Sequence, residues 1–168
     1  MKEKHTVFTY GTLMKGFYGY EKYMRNAKFI SRGVMNGKMY HTPSNYPAVV
    51  YKPMSPCDVH GEIYHVDETT MENLRKYEGI GSVITCYEEK IVEVKTENGK
   101  ILAHAFVVTP LKKLMVKSLS KKIKHGDWRK FINEGIDKKP SIGLILFFLI
   151  FSFVLFEIMY RISNIGTK

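Results

Sequence analysis

Residues 7–13 read Val-Phe-Thr-Tyr-Gly-Thr-Leu and lead from a β-type run into a glycine turn. We predict a strand over residues 5–9, because this run is rich in β-branched and aromatic side chains, and a turn over Tyr10-Gly11-Thr12-Leu13. A strand that ends in such a turn can leave successive backbone N–H groups unpaired and pointing one way. These groups could bind a carboxylate or stabilise a developing oxyanion. The simpler alternative, which the tetrapeptide does not exclude, is that Gly11 only turns the chain.

Further short β-type segments follow this turn along the chain. The sequence predicts strands over residues 29–40, 48–51, 59–66, 84–95 and 101–109. Gly33 and Gly37 predict a bend or bulge in the first of them, and Gly61 predicts a bend in the third. Asn98-Gly99 lies between the last two strands and is a strong signal for a hairpin turn.

Helical patterns are fewer and shorter than the β segments. Residues 21–26 could form a short helix, and residues 68–78 have helical spacing between an N-cap at Asp67 and a stop at Gly79. Many short strands with few helices predict an α+β fold, namely a small mixed β-barrel with flanking helices.

Length and cysteine content limit the class of protein. A chain of 168 residues has room for about one domain. Cys57 and Cys86 are too few for a disulfide framework and lack the spacing of zinc ligands, so we expect reduced thiols. The histidines have no partner at ligand spacing, and no glycine-rich phosphate loop is present. We therefore expect no metal and no cofactor.

The positive charge lies mainly on one short segment. The chain has a net charge of +10, but residues 1–110 hold 14 Lys/Arg against 12 Asp/Glu. Residues 111–141 hold 10 Lys/Arg against 3 Asp/Glu. Because the predicted barrel has no basic surface interleaved with aromatics, a nucleic-acid-binding domain is not favoured.

The basic segment is followed by an apolar run over residues 142–160, interrupted by Glu157 near its end. A helix of this length is roughly 28 Å long, close to the ~30 Å hydrocarbon thickness of a bilayer. We predict a transmembrane helix here, since a soluble helix would have to bury large side chains on all its sides. The predicted organisation is a domain over residues 1–132, a basic linker over 133–141, the transmembrane helix over 142–160 and a short tail over 161–168.

The charges that flank this run predict its orientation. Lysines are concentrated before it, whereas Arg161 and Lys168 follow it. The positive-inside rule then predicts a single-pass membrane protein with its N-terminal domain in the cytoplasm. Residues 111–139 would lie near anionic lipid. The sequence does not predict an oligomeric state.

Glu78 is the candidate for acid–base chemistry. On a helix it shares a face with the apolar Met71 and Leu74, because Leu74 follows Met71 by three residues and Glu78 follows Met71 by seven. Burial and the negative end of the helix dipole would both raise its pKa, as a general base near neutral pH requires. The alternative is a frayed helix end at which Glu78 turns to water.

Taken together, these segments resemble the gamma-glutamylcyclotransferase-like family, whose blocks occur here in the same order. The resembling blocks are Val7-Phe8-Thr9-Tyr10-Gly11-Thr12-Leu13, Tyr46-Pro47-Ala48-Val49-Val50, Val59-His60-Gly61-Glu62-Ile63-Tyr64, Leu74-Arg75-Lys76-Tyr77-Glu78-Gly79, Tyr87 before Ile91-Val92-Glu93-Val94, Ala103-His104-Ala105-Phe106-Val107 and Gly126-Asp127-Trp128. They cover about three quarters of the chain. The apolar run at the C-terminus lies outside the resemblance.

The resemblance implies a β-barrel with a cavity at one mouth and an enzyme that cyclises a γ-glutamyl amide to 5-oxoproline, releasing an amine or amino acid. The family's catalytic Glu falls on Glu78, and its substrate-cradling turn falls on Tyr10, Gly11, Thr12 and Leu13. Tyr46 and Tyr87 would line the pocket or donate a hydrogen bond, although both are equally explained as aromatics of the barrel wall.

The chain departs from the family pattern at two positions. Arg75 stands where the family often has Asp, and Glu89 stands where it often has Arg. The alternative function is a catalytically inactive, membrane-tethered barrel that binds a small amide or carboxylate, or docks a protein partner. Glu78 on the apolar helix face, together with Gly11, favours the enzyme.

Overall fold

The computed structural model describes residues 4–82 and 85–135. The predicted transmembrane helix over 142–160, the tail over 161–168 and most of the basic linker lie outside the described residues. Within the part that is described, no helix is long and apolar enough to cross a membrane.

Strands dominate the described residues, and three short α-helices and one π-helical turn (Tyr20–Met24) accompany them. The strands are β1 (Lys4–Thr9), β2 (Lys28–His41), β3 (Pro47–Tyr51), β4 (Asp58–Asp67), β5 (Tyr87–Thr96), β6 (Gly99–Val108) and β7 (Lys121–Ile123). The α-helices are α1 (Glu68–Tyr77), α2 (Lys113–Leu119) and α3 (Trp128–Asn133).

Five of the strands form a closed barrel. The pairing runs in the order β2-β4-β1-β6-β5, and a short β2–β5 pairing at Val34 and Met35 closes the ring. The β1–β6 pair is parallel, whereas the other pairs among the described strands are antiparallel. The predicted small mixed barrel with flanking helices is therefore confirmed.

Strand β2 is long enough to take part in two sheets. Residues up to Asn36 pair with β4, and from Gly37 onward the strand pairs with β3 instead. β7 pairs with the last three residues of β2. The irregularity in register lies between Phe29 and Ser31, so the bulge predicted at the glycines is wrong in position. Gly37 marks the change of partner.

Two of the three apolar clusters among the described residues lie on either side of the barrel wall. Inside the barrel, Phe8, Met35 and Val94 belong to a cluster that extends to Trp128 of α3. Outside it, Met71 and Leu74 of α1 pack with Val7 and Tyr64. Because β1 contributes alternate residues to both clusters, its C-terminal end is fixed in position, and the predicted turn follows directly from that end.

The basic segment after β6 is part of the folded unit as far as Glu134. It contains α2, β7 and α3, none of which was predicted from the sequence. Asp127 caps α3 by accepting a hydrogen bond from the backbone N–H of Lys130 at 3.0 Å, and Trp128 is buried. The Gly126-Asp127-Trp128 block is thus a helix start.

Candidate active site

Glu78 is held at the C-terminal end of α1 by a defined capping structure. The backbone N–H of Gly79 donates to Lys76 and that of Ile80 donates to Arg75, which is a Schellman motif. Gly79 has φ +71°, a conformation that glycine adopts without strain. The helix ends at Tyr77, one residue before the predicted end, and Glu78 is its cap residue.

The side chain of Glu78 lies on the apolar face, as the helical spacing predicts. Met71 and Leu74 on the same face are fully buried, whereas Glu78 is half-buried and lines a cavity. Burial raises the pKa of the Glu78 carboxyl to about 7. No hydrogen bond or ion pair of this carboxylate is found among residues 4–82 and 85–135. It is therefore not held by a structural partner there.

The turn after β1 presents backbone donors. The N–H groups of Gly11, Thr12 and Leu13 make no hydrogen bond within the described part of the chain. The carbonyls of Gly11 and Thr12, in contrast, accept from Met14 and Tyr20 and so fix the turn. The turn therefore has its acceptors paired and its donors unpaired, which is the arrangement expected of an anion-binding concavity.

Glycine is required at position 11 because the turn lies very close to Pro47, and not because of an unusual backbone conformation. A Cβ atom at this position would lie 2.3 Å from Cγ of Pro47, the first residue of β3. No side chain larger than hydrogen fits unless one of the two segments moves. This contact therefore packs the turn directly against the start of β3.

Two tyrosines form the polar wall of the site. The Tyr10 hydroxyl donates to the carbonyl of Phe106 on β6, and the Tyr87 hydroxyl donates to the carbonyl of Pro47 at 3.3 Å. Burial, followed by the charge of Glu78, raises the pKa of Tyr10 well above its usual range. Burial also raises the pKa of Tyr87, with smaller contributions from Tyr10 and Glu78. Both hydroxyls are thus neutral donors close to the Glu78 carboxyl.

These groups surround one cavity of about 300 Å³. All seven residues singled out in the sequence line it: Tyr10, Gly11, Thr12, Leu13, Tyr46, Glu78 and Tyr87. Five further residues also line it: Phe8, Thr9, Pro47, Tyr77 and Phe106. The structure brings the candidate residues together, and their chemical roles remain predictions.

Sequence reasoning missed part of this lining although signals for it existed. Tyr77 directly precedes Glu78 and is an exposed aromatic at a helix end, which is a feature of binding sites. Phe106 and Pro47 lie within the blocks that carry the family resemblance. Their place in the cavity depends on contacts between distant strands, so only the three-dimensional structure reveals it.

The two residues that depart from the family pattern lie beside the site and contact each other. Nε of Arg75 donates to Oε2 of Glu89 at 2.7 Å, and Nη2 donates to Oε1 at 3.2 Å. Arg75 also pairs with Glu68, while Nδ1 of His104 lies 2.6 Å from Glu89. Neither Arg75 nor Glu89 lines the cavity.

The chemistry of the cavity is that of an acid–base site with backbone donors. Glu78 is the one charged side chain in its lining among the described residues. In the same part of the chain, no cluster of three or more His, Cys, Asp or Glu residues is suited to a metal ion. The arrangement can therefore transfer a proton near neutral pH and stabilise negative charge on an oxygen.

The structure is a closed barrel with a cavity that is lined by a half-buried carboxyl and by a turn with unpaired amides. Comparison with known families gives the particular family. The model described as gamma-glutamyl cyclotransferase, AIG2-like, matches residues 7–130. The chain belongs to this family, and the family supports gamma-glutamylcyclotransferase-type activity in general.

Individual relatives agree with this assignment. The chain is 35% identical over 94 residues to a protein of Methanocaldococcus jannaschii named "Putative gamma-glutamylcyclotransferase MJ1514", covering 56% of this chain and 75% of that one. An AIG2-like protein of Mus musculus has the same fold, with a TM-score of 0.66 at 21% identity over 83% of this chain and 98% of its own. YkqA of Bacillus subtilis gives a TM-score of 0.62 at 21% identity over 80% of this chain, which spans only 44% of YkqA.

Proposed function

We propose that this protein cyclises a γ-glutamyl amide to 5-oxoproline and releases the attached amine or amino acid. One observation carries the proposal. Glu78, with a pKa raised to about 7 by burial, lines the same cavity as residues 11–13, whose backbone N–H groups are unpaired within the described part of the chain. The reaction needs both a base and an oxyanion site, and this cavity provides candidates for each.

In the proposed mechanism Glu78 first acts as the base. The α-ammonium group of the substrate loses a proton to the Glu78 carboxylate, and the resulting amine nitrogen attacks the γ-carbonyl carbon. The new C–N bond closes a five-membered ring, and the carbonyl oxygen becomes an oxyanion. Glu78 then returns the proton to the leaving nitrogen, the oxyanion collapses to the lactam carbonyl, and the original amide C–N bond breaks. The ring nitrogen gives up its second proton to Glu78, and the released amine takes that proton as it becomes an ammonium. No redox partner is needed.

The backbone donors of the turn would stabilise the oxyanion. Removing one such donor in other enzymes raises the barrier by about 3–4 kcal/mol. Because Gly11, Thr12 and Leu13 are in a turn fixed by its own carbonyl contacts, their N–H groups are pre-oriented and need no rearrangement during the reaction. Tethering of the nucleophile within the substrate supplies roughly 7–11 kcal/mol more.

The cavity also limits the substrate. A volume of about 300 Å³ is at the small end of ligand pockets, roughly 300–1,000 Å³. Tyr46 and Tyr77 are each more than a third exposed at the cavity. We propose that the γ-glutamyl group is enclosed and that the leaving amine extends past these tyrosines.

The location of the activity is a separate proposal that rests on the sequence. The apolar run over residues 142–160 would anchor the chain as a single-pass membrane protein with the barrel on the cytoplasmic side. The described residues do not include this run.

The experiment is direct. The full chain is incubated with a panel of γ-glutamyl dipeptides, γ-glutamyl-lysine and γ-glutamyl amines, and 5-oxoproline is measured by mass spectrometry. We expect release from at least one member of the panel. A correctly folded chain that releases none would favour the inactive binding barrel.

A further inference from the structure

Helix α2 is oriented by a single buried residue. Val116 is buried in a cluster with Tyr40, Ala48 and Val108. It is the one buried residue of the helix. The direction of Val116 therefore sets which side of α2 faces the barrel and which side faces outward.

α2 and the residues just before it carry exposed apolar side chains. Leu111 is 91% exposed, Leu114 75%, Leu119 54% and Met115 41%. At about 100° per residue, Leu114 lies roughly 160° and Met115 roughly 100° around α2 from Val116, whereas Leu119 lies only about 60° from it, at the C-terminal end of the helix, and Leu111 precedes the helix. A helix on the surface of a soluble domain normally buries its large apolar side chains, whereas these four are exposed.

Lysines are interspersed with these apolar residues and follow them in the sequence. Between Leu111 and Gly126 the sequence has six lysines and no acidic residue. These lysines are Lys112, Lys113, Lys117, Lys121, Lys122 and Lys124. None of them forms an ion pair with a carboxylate in residues 4–82 and 85–135. We call the four apolar side chains and these lysines the leucine–lysine face.

We propose that the leucine–lysine face docks onto an anionic lipid bilayer, with its leucines in the headgroup region and its lysines on lipid phosphates. Exposed leucines bordered by unpaired lysines are the features of helices that lie in a membrane interface. Anionic headgroups supply the complementary charge that the lysines lack within the described structure. The proposal concerns the folded barrel unit, and does not require the apolar run over residues 142–160 to span.

Charge argues against the other occupants of such a surface. A second copy docking through the same face would bring six lysines against six lysines and would be repelled. A nucleic acid would pair with the lysines but would leave the leucines in water. A bilayer with anionic lipid satisfies both groups at once.

The test places an environment-sensitive fluorophore on the face. Leu114→Cys is introduced into the full chain together with Cys57→Ser and Cys86→Ser, labelled, and reconstituted into vesicles. One set contains phosphatidylcholine alone, and the other contains equal parts of phosphatidylglycerol and phosphatidylcholine. The matched control is Leu102→Cys on β6, which is 68% exposed and about 20 Å along the strand from the end of β6 at Val108. Thermal unfolding of each labelled chain checks that it is folded.

We expect the Leu114 label to shift to shorter wavelength and to lose most of its quenching by aqueous iodide in the anionic vesicles. High salt, or the added pair Lys121→Glu and Lys122→Glu, should reverse much of this change. The Leu102 label should not respond. Quenching of the Leu114 label that equals that of the Leu102 label in anionic vesicles would overturn the proposal. Shielding that is the same in both lipids and at all salt concentrations would also overturn it, since the covering would then be protein.

Discussion

The guanidinium of Arg75 and the carboxylate of Glu89 form a two-pronged ion pair, with N–O distances of 2.7 and 3.2 Å. These are the two positions at which the chain departs from the family pattern, and the departures have opposite charge. The structure therefore explains them together, because each residue is the partner of the other. The Arg75 side chain, followed by His104, holds the pKa of the Glu89 carboxyl below its usual range.

The ion pair predicts that reversing the charge of one member destabilises the fold, and that reversing the charges of both members is tolerated. Arg75→Glu should place three carboxylates together, its own and those of Glu68 and Glu89, and lower the free energy of unfolding by about 1.5–3 kcal/mol. Arg75→Glu combined with Glu89→Arg should recover at least half of that loss. The measurement is chemical unfolding of the full chain in detergent. Equal losses in the single and double variants would show that the pair does not contribute as a unit.

The raised pKa of Glu78 predicts the acid limb of the activity profile. The base must be ionised, and its pKa is about 7. We therefore expect kcat/KM for 5-oxoproline release to rise with pH up to about 7 and to level off above it. A base with the ordinary carboxyl pKa near 4 would give a profile that is already flat between pH 5 and 7. Such a profile would contradict a role for Glu78 as the base.

The same shift predicts how stability changes with pH. The pKa of Glu78 is higher in the folded than in the unfolded chain, so its contribution to stability is complete below pH ~4.3 and is lost as pH rises through 7. Glu78→Gln should therefore raise the melting temperature at pH 8 and have little effect at pH 4. Glu72→Gln is the control, since Glu72 is exposed on the opposite side of the same helix.

The contact between the turn and β3 predicts a rescue experiment. Gly11→Ala would place a methyl group 2.3 Å from Pro47 Cγ, and the displaced turn should lower kcat about 100-fold. Pro47→Ala removes that carbon but keeps the carbonyl that accepts from Tyr87. The double variant should therefore regain most of the lost activity. If Pro47→Ala does not improve Gly11→Ala, the collision is not the cause.

Much of the local structure follows from short-range signals in the sequence. Asn98-Gly99 predicts the β5–β6 hairpin, and the structure confirms it with Thr96 paired to Gly99. Asp67 predicts the start of α1, and its carboxylate accepts from the backbone N–H of Thr70 at 2.9 Å. These features were predictable because both partners lie within a few residues of each other.

The remainder depends on contacts between distant residues. The β2–β5 pairing that closes the barrel joins Met35 to Val94, and no local pattern specifies it. α2 was missed because only Val116 of its residues is buried, and because its lysines were interpreted as part of a basic segment near anionic lipid. The Gly11–Pro47 approach likewise joins two segments far apart in sequence, so the reason for that glycine could not be predicted.

The central claim is that Glu78 is the acid–base group. The most direct measurement is the single-turnover rate of 5-oxoproline release from the best substrate of the panel, compared between Glu78→Gln and Glu72→Gln. Glu78→Gln keeps the shape of the side chain and removes the base, so we predict a rate at least 100-fold below that of the parent chain, with Glu72→Gln unchanged. A Glu78→Gln rate within a few-fold of the parent would contradict the account.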